Sequence, residues 1–213
     1  MTLAENFCSC WEVFVNTSSD NCGLVIVDMQ NDFVLPDSPL CIAGAYETVP
    51  KIQEALEAFR KGKKPVFHIV REHRADGSDV EITRVQGFLK EARYAIPGTT
   101  GCEIVEALHP LEGEYRIAKQ RFSAFMHTEL DFILRRLGIS HIVVCGTQYP
   151  VCIRTTVFDA IAYGYHVTVL TDATSAQTPE VAEANIRDIK MIGVRCVTVS
   201  EFLQNSAGFG DAT

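Results

Sequence analysis

The chain lacks a long hydrophobic run, a basic block and an N-terminal apolar core, and each absence narrows the range of functions. No apolar stretch reaches the roughly 18 residues that a membrane span needs, and residues 1–22 do not resemble a secretory signal. The 19 basic against 27 acidic side chains give a net charge of −8. This balance disfavours nucleic acid and anionic membranes as partners. We therefore expect a cytoplasmic protein that binds neither of them.

The chain also lacks a Cys-x-x-Cys pair, although it contains eight cysteines in 213 residues. Cys8, Cys10 and Cys22 are a weak zinc candidate, because a fourth ligand at the usual spacing is missing. Thiols scattered over a chain of this size are typical of a reduced cytoplasmic protein rather than of a disulfide framework.

Apolar strands and amphipathic helices alternate along the chain. The predicted strands are 24–28, 65–70, 115–118, 141–145, 166–170 and 194–199, and the predicted helices are 49–60, 128–137, 153–163 and 179–191. This order predicts an α/β fold, a three-layer α/β/α, Rossmann-like open parallel sheet with helices on both faces. We predict one domain over 23–204, an N-terminal extension over 1–22 that is poorly ordered, and a C-terminal tail over 205–213.

Two apolar runs lead to side chains that can carry chemistry. Val25–Val27 ends at Asp28, and Ile142–Cys145 leads to Cys152 at the start of a predicted helix. Ligands of open α/β sheets bind at the carboxyl ends of the strands. We therefore expect Asp28 and Cys152 to face the same crevice, where an acid and a thiol indicate a base and a nucleophile.

Four segments resemble the isochorismatase-like cysteine hydrolases, the superfamily of nicotinamidases and of N-carbamoylsarcosine and ureidoacrylate amidohydrolases. The resemblance extends from Leu24 to Phe202, and its segments are 25–33 (VIVDMQNDF), 117–125 (IAKQRFSAF), 145–154 (CGTQYPVCIR) and 171–174 (TDAT). It implies a catalytic triad of Asp28, Lys119 and Cys152. It also implies a cis peptide between Thr147 and Gln148, whose N–H would bind the oxyanion together with that of Cys152.

These residues predict a hydrolase that cleaves a C–N bond of a small amide, ureido or carbamoyl compound through a thioester. Lys119 and the start of a helix both favour the charged form of the Cys152 thiol. Asp28 would take the thiol proton, return it to the leaving amine and then activate water. Two alternatives stay open: a vinyl-ether hydrolase, disfavoured because such members lack the cysteine, and an inactive binding module on the same fold.

The metal ligands of nicotinamidases are missing from the expected position. Nicotinamidases that resemble this chain typically hold a metal through an Asp-x-His pair and another His, and no Asp-x-His follows Phe33. His68 lies within an apolar strand, which is typical of a core histidine, and His73 lacks partner ligands. We predict no metal and no cofactor, and nicotinamide is disfavoured as the substrate.

The predicted substrate-binding residues are aromatic and cationic. Phe33, Phe122 and Tyr149 adjoin the triad motifs and would form an apolar pocket wall, with packing in the core as the alternative. His73 and Arg93 are the candidates in the charged segment 71–101.

That segment would close over the pocket as a lid, or else form a solvated loop. Its cationic side chains would suit a carboxylate, and they are Arg71, His73, Arg74, Arg84 and Arg93. By resemblance, we expect a homo-oligomer, a dimer or tetramer, that acts on a small molecule.

Overall fold

A parallel sheet forms the centre of the computed structural model, which describes residues 21–38 and 40–205. Its strands are β1 (Cys22–Val27), β2 (Val66–Arg71), β3 (Tyr115–Lys119), β4 (His141–Gly146), β5 (His166–Thr174) and β6 (Arg195–Val197). The six strands are arranged in the order β3-β2-β1-β4-β5-β6. The strand order therefore reverses between β1 and β4, and in open α/β sheets the crevice at such a reversal is where ligands bind.

Helices cover both faces of the sheet. They are α1 (Asn31–Val34), α2 (Ala45–Lys61), α3 (Val85–Lys90), α4 (Leu130–Arg136), α5 (Arg154–Ala162), α6 (Pro179–Met191) and α7 (Val199–Gln204), and a π-helical turn (Tyr149–Ile153) precedes α5. Buried residues of α2 and α7 belong to one core cluster, and those of α4, α5 and α6 belong to a second. The predicted three-layer fold is confirmed.

The side chains of β1 show why its sequence is a continuous apolar run. Leu24 and Ile26 pack into the core cluster of α2 and α7, whereas Val25 and Val27 pack into the opposite cluster. Successive strand residues point to opposite faces. A strand that is covered on both faces therefore needs apolar residues at every position.

The carboxyl ends of the last two strands differ from the prediction by two residues or more. Strand β5 continues to Thr174 instead of ending at Leu170. The last strand ends at Val197, because Thr198 caps helix α7, which the sequence did not predict. The Thr198 N–H donates to Glu201 Oε2 at 2.8 Å, and the Glu201 N–H donates to Thr198 Oγ1 at 3.2 Å. This reciprocal pair is a capping box, which the spacing of Thr198 and Glu201 already indicated.

The predicted extension and tail lie almost entirely beyond the described part of the chain. Cys22 belongs to β1, whereas Cys8 and Cys10 of the zinc candidate lie outside the described residues. Within 21–38 and 40–205, no helix is long and apolar enough to cross a membrane.

Candidate active site

Asp28, Lys119 and Cys152 come together at the carboxyl ends of the central strands. Asp28 follows β1, Lys119 is the last residue of β3, and Cys152 lies in the turn after β4. Lys119 Nζ is 2.8 Å from Asp28 Oδ2 and 3.6 Å from Cys152 Sγ. All three side chains are buried. The ammonium therefore links the carboxylate to the thiol, as a base and a nucleophile require.

The backbone around the ends of β1 and β4 has an uncommon conformation. Asp28 has a φ of 53° and Gly146 a φ of 114°, both in the left-handed region. Asp tolerates this region better than most residues, whereas a Cβ at Gly146 would clash with the Val27 carbonyl oxygen. Only glycine permits this approach, and it lets the Thr147 N–H donate to the Val27 oxygen at 2.9 Å.

The loop between β4 and Cys152 is held by Ser175. The peptide bond between Thr147 and Gln148 is cis, at the position that the resemblance implies. Ser175 Oγ is 2.8 Å from Thr147 Oγ1, and the Ser175 carbonyl oxygen accepts a hydrogen bond from the Tyr149 N–H at 2.9 Å. These bonds connect the loop to the end of β5.

Arg71 contacts the thiol of Cys152, a contact that the sequence did not predict. Its Nη2 is 3.5 Å from Cys152 Sγ, and its Nη1 is 2.6 Å from Glu81 Oε1. The guanidinium also donates to the Arg121 carbonyl oxygen at 3.2 Å, and Arg71 is only 2% exposed. The sequence did contain a signal for this contact. Arg71 directly follows the predicted strand 65–70, and β2 lies next to β1 in the sheet.

Gln30 fixes the backbone of Arg71 from the adjacent loop. Its Oε1 accepts from the Arg71 N–H at 2.7 Å, while its Nε2 donates to the Arg71 carbonyl oxygen at 2.8 Å. The same Nε2 donates to the Cys102 carbonyl oxygen at 2.8 Å. Gln30 is fully buried and lies within the segment 25–33, but the prediction gave it no role.

The charges around Cys152 act on its pKa in opposite directions. Burial raises the pKa of the Cys152 thiol above its usual value, and the Asp28 carboxylate raises it further. Lys119 and Arg71 lower this pKa, although not enough to reverse the shift. In the pKa of this thiol, burial and Asp28 therefore outweigh the two cations, which favour the thiolate. Asp28 Oδ1 is buried without a hydrogen-bond partner among the described residues, so it can receive the thiol proton.

Arg71 stays charged despite its burial. Burial lowers the pKa of its guanidinium, but the charge of Cys152 when it is ionised and the charges of Asp28 and Glu81 outweigh that effect and raise the pKa. The site therefore contains two fixed cations beside the sulfur, Lys119 and Arg71.

An inner cavity adjoins Cys152, and an outer cavity shares part of its lining. The inner cavity has a volume of about 50 Å³ and is lined by Asp28, Arg71 and Cys152, among others. The outer cavity has a volume of about 480 Å³, and the segment that contains α3 forms one of its walls. Both cavities share four lining residues, and these are Phe33, Ile42, Arg84 and Gln148.

The predicted aromatic residues have different positions. Phe33 lines both cavities. The ring of Phe122 lies under the guanidinium groups of Arg71 and Arg84, with centroid distances of 5.4 and 4.6 Å. Tyr149 is fully buried in the core and is not among the residues that line either cavity.

His73 and Arg93 lie outside the walls of both cavities. His73 is buried behind Arg71, with its Nε2 3.4 Å from Arg71 Nη1 and its ring against those of Phe88 and Tyr94. Burial, followed by the charge of Arg71, lowers the pKa of His73. Arg93 is exposed to solvent. The structure thus gives no support to direct contact of either side chain with a substrate.

No group of three or more His, Cys, Asp or Glu side chains in 21–38 and 40–205 is arranged to hold a metal ion. His68 Nε2 is instead 2.9 Å from Glu114 Oε2. His68 is 1% exposed, as a core histidine would be.

The isochorismatase domain family matches residues 22–201. The chain belongs to the isochorismatase family. An isochorismatase family protein from Desulfovibrio vulgaris has a similar structure, with a TM-score of 0.84 and 50% identity over 86% of this chain and 97% of that one. This match and the family assignment confirm the resemblance that was inferred from the four segments.

Two curated relatives from the isochorismatase family differ in what their names state. A protein named probable inactive nicotinamidase, from Arabidopsis thaliana, is 42% identical over 88% of this chain and 97% of its own length. A ureidoacrylate amidohydrolase from Caulobacter segnis is 29% identical over 74% of this chain and 73% of its own length. The family thus includes amidohydrolases.

Proposed function

We propose that the protein is a metal-independent cysteine amidohydrolase, which cleaves a C–N bond of a small amide, ureido or carbamoyl compound through a thioester. The observation that carries this proposal is the contact of Lys119 Nζ with both Asp28 Oδ2 and Cys152 Sγ, at 2.8 and 3.6 Å. The three groups are buried, and two of them line a cavity.

The first step transfers the thiol proton of Cys152 to Asp28 Oδ1, which has no other hydrogen-bond partner among the described residues. The resulting thiolate lies between Lys119 and Arg71. These two cations stabilise the charge without having to reorganise, because each is already fixed by a carboxylate. The sulfur then attacks the carbonyl carbon of the substrate and forms a C–S bond.

The carbonyl oxygen becomes an oxyanion, which the N–H groups of Gln148 and Cys152 would bind. When the tetrahedral intermediate collapses, the C–N bond breaks and Asp28 returns its proton to the leaving nitrogen. A thioester on Cys152 remains. Asp28 then accepts a proton from water, the hydroxide attacks the thioester carbon, and the C–S bond breaks. Asp28 returns the proton to the sulfur, and the acid product leaves the regenerated thiol.

A second candidate is a binding module without hydrolase activity. The name of the Arabidopsis relative, probable inactive nicotinamidase, favours it, and so does the raised pKa of Cys152. The arrangement of Asp28, Lys119 and Cys152 favours the enzyme, because a binding module has no need of an ammonium that links a carboxylate to a thiol.

The test is ammonia release from a panel of small amides, ureido acids and carbamoyl compounds that includes nicotinamide. The panel is run with the wild type, with Cys152→Ala, and with Cys196→Ser as a matched thiol control on the edge strand β6. Each assay is repeated after treatment with a chelator.

We expect release that is lost in Cys152→Ala but persists in Cys196→Ser and after chelation. Release that survives in Cys152→Ala would contradict the thiol mechanism. Release that stops after chelation would contradict metal independence, and release from no compound would favour the binding module.

A further inference from the structure

We propose that Arg84 binds a carboxylate of the substrate, and that the outer cavity holds an apolar substituent beside it. This inference rests on the proposed function and specifies its substrate class. The substrate would be a ureido acid whose α-carbon carries an apolar side chain.

Arg84 lines both the inner and the outer cavity. Arg84 lines the inner cavity together with Cys152 and the outer cavity together with Tyr94. Its guanidinium is 4.6 Å from the centroid of the Phe122 ring and interacts with the Tyr94 hydroxyl. Two aromatic side chains therefore hold the cation in place, and a held guanidinium loses less entropy when it binds an anion.

The charge of Arg84 has no acidic partner within the protein, as far as the described residues show. Lys119 is paired with Asp28 at 2.8 Å, and Arg71 is paired with Glu81 at 2.6 Å. No carboxylate in 21–38 or 40–205 lies within ion-pair distance of Arg84. Of the two arginines that line the inner cavity, Arg84 is thus the one available to an external anion, and a guanidinium binds a carboxylate through two parallel hydrogen bonds.

The volumes of the cavities limit the distance between the carboxylate and the scissile bond. The inner cavity of about 50 Å³ has room for only a few water-sized groups, at roughly 10–15 Å³ for each. A ureido group fills such a space. Because Arg84 lines this cavity, the carboxylate must be attached close to the ureido nitrogen.

The outer cavity is suited to an apolar substituent. Its volume is about 480 Å³, and its apolar lining residues include Phe33, Leu40, Phe88 and Ala92. A substituent on the carbon between the ureido nitrogen and the carboxylate would extend into this space. Each buried methylene is worth about 0.8 kcal/mol, or roughly fourfold in affinity.

The reaction of such a substrate needs water alone. The sulfur of Cys152 attacks the ureido carbon, the bond to the terminal nitrogen breaks, and ammonia leaves with the proton from Asp28. Water then cleaves the S-carbamoyl intermediate and releases an N-carboxy amino acid. This product loses carbon dioxide and leaves the free amino acid.

The experiment compares three probes. N-carbamoyl-leucine has the carboxylate and the apolar side chain, 3-methylbutylurea lacks the carboxylate, and N-carbamoylglycine lacks the side chain. Binding is measured by calorimetry in Cys152→Ala protein, where turnover does not interfere, with Arg84→Met or the exposed control Arg93→Met added. The same Arg84 and Arg93 substitutions are assayed for ammonia release with Cys152 intact, and melting curves verify the fold of each variant.

We expect N-carbamoyl-leucine to bind at least about tenfold more tightly than either other probe. Arg84→Met should weaken its binding about 10- to 100-fold, as the loss of a charged hydrogen-bonding partner implies. It should change the binding of 3-methylbutylurea by less than about threefold, and Arg93→Met should change neither, because Arg93 lines neither cavity.

Equal binding of N-carbamoyl-leucine and 3-methylbutylurea would overturn the inference. So would a preference for the acid that persists in Arg84→Met. A preference that depends on Arg84 without any ammonia release would instead contradict the proposed function alone. Release that depends on Cys152 without such a preference would contradict only the role of Arg84.

Discussion

Two buried charge clusters share strand β2 but differ in how completely their carboxylates are hydrogen-bonded. In the first, Glu114 accepts from Arg60 Nε at 2.7 Å, His68 Nε2 at 2.9 Å and the Leu111 N–H at 2.9 Å. In the second, around Arg71, the buried oxygens Asp28 Oδ1 and Glu81 Oε2 have no hydrogen-bond partner among the described residues.

The first cluster, around Glu114, is suited to stabilising the fold, whereas the second, around Arg71, is suited to binding a proton or a ligand. Burial acts to raise the pKa of Glu114, but the hydrogen bonds from Arg60, Leu111 and His68 outweigh it and lower the pKa to about 2. Such a network stabilises the fold. An unpaired buried acceptor costs about 1–3 kcal/mol. Asp28 lines the inner cavity, where a proton or a ligand can use its Oδ1.

The largest expected effect comes from Asp28→Asn, which breaks the second cluster. Turnover should fall about 10³-fold, because the general base is lost. Asp28 raises the pKa of Cys152, so its removal should lower that pKa and accelerate alkylation by iodoacetamide at pH 7. Ammonia release and alkylation rates measured on one preparation check both expectations. Slower alkylation would show that Asp28 does not control the thiol proton.

The next effect concerns the pair of Arg71 and Glu81. Arg71→Met leaves the Glu81 carboxylate, only 10% exposed, without its partner and should cost about 3–5 kcal/mol in the free energy of unfolding. Adding Glu81→Gln should recover most of that stability.

The double variant separates structure from chemistry. Arg71 lowers the pKa of Cys152, so the midpoint of the pH profile of alkylation should move to higher pH in Arg71→Met/Glu81→Gln even where stability is restored. An unchanged midpoint in the double variant would assign Arg71 to the fold alone. Urea denaturation and alkylation between pH 6 and about 10 provide the two measurements.

The smallest effect is expected in the cluster around Glu114. Glu114→Gln should destabilise the protein by about 2 kcal/mol at pH 7 and leave kcat/KM within about twofold. The pKa of Glu114 falls from 4.5 to about 2 on folding, so the stabilisation is complete above pH 4.5 and is lost as the pH drops from there towards about 2.

Urea denaturation of wild type and Glu114→Gln at pH 7 and at pH 3 measures this dependence. The difference in unfolding free energy should shrink at the lower pH. A constant difference would mean that packing, and not the charge of Glu114, is responsible.

The sequence identified the three side chains that the structure brings together, Asp28, Lys119 and Cys152, better than it identified the residues that line the cavities. Asp28 and Cys152 were found because they follow apolar runs, and Lys119 because it lies in a matched segment. Arg71 directly follows the predicted strand 65–70, but it also begins a charged stretch that contains exposed side chains such as Arg74 and Arg93, and its residue type does not distinguish it from them. Its contact with Cys152 depends on the pairing of β1 with β2, which no short segment specifies.

The sequence by itself determined the sheet, its two covered faces and the three side chains of the candidate active site, because strand periodicity and short motifs are local properties. Only the tertiary structure decided which cations reach the sulfur and which reach the cavities. Segment 71–101 is held against helix α1 by long-range bonds, such as that from the Ala95 N–H to Asp32 Oδ2 at 2.7 Å. Such contacts arise when distant parts of the chain pack together, and so they select Arg71 and Arg84 from a group of similar charges.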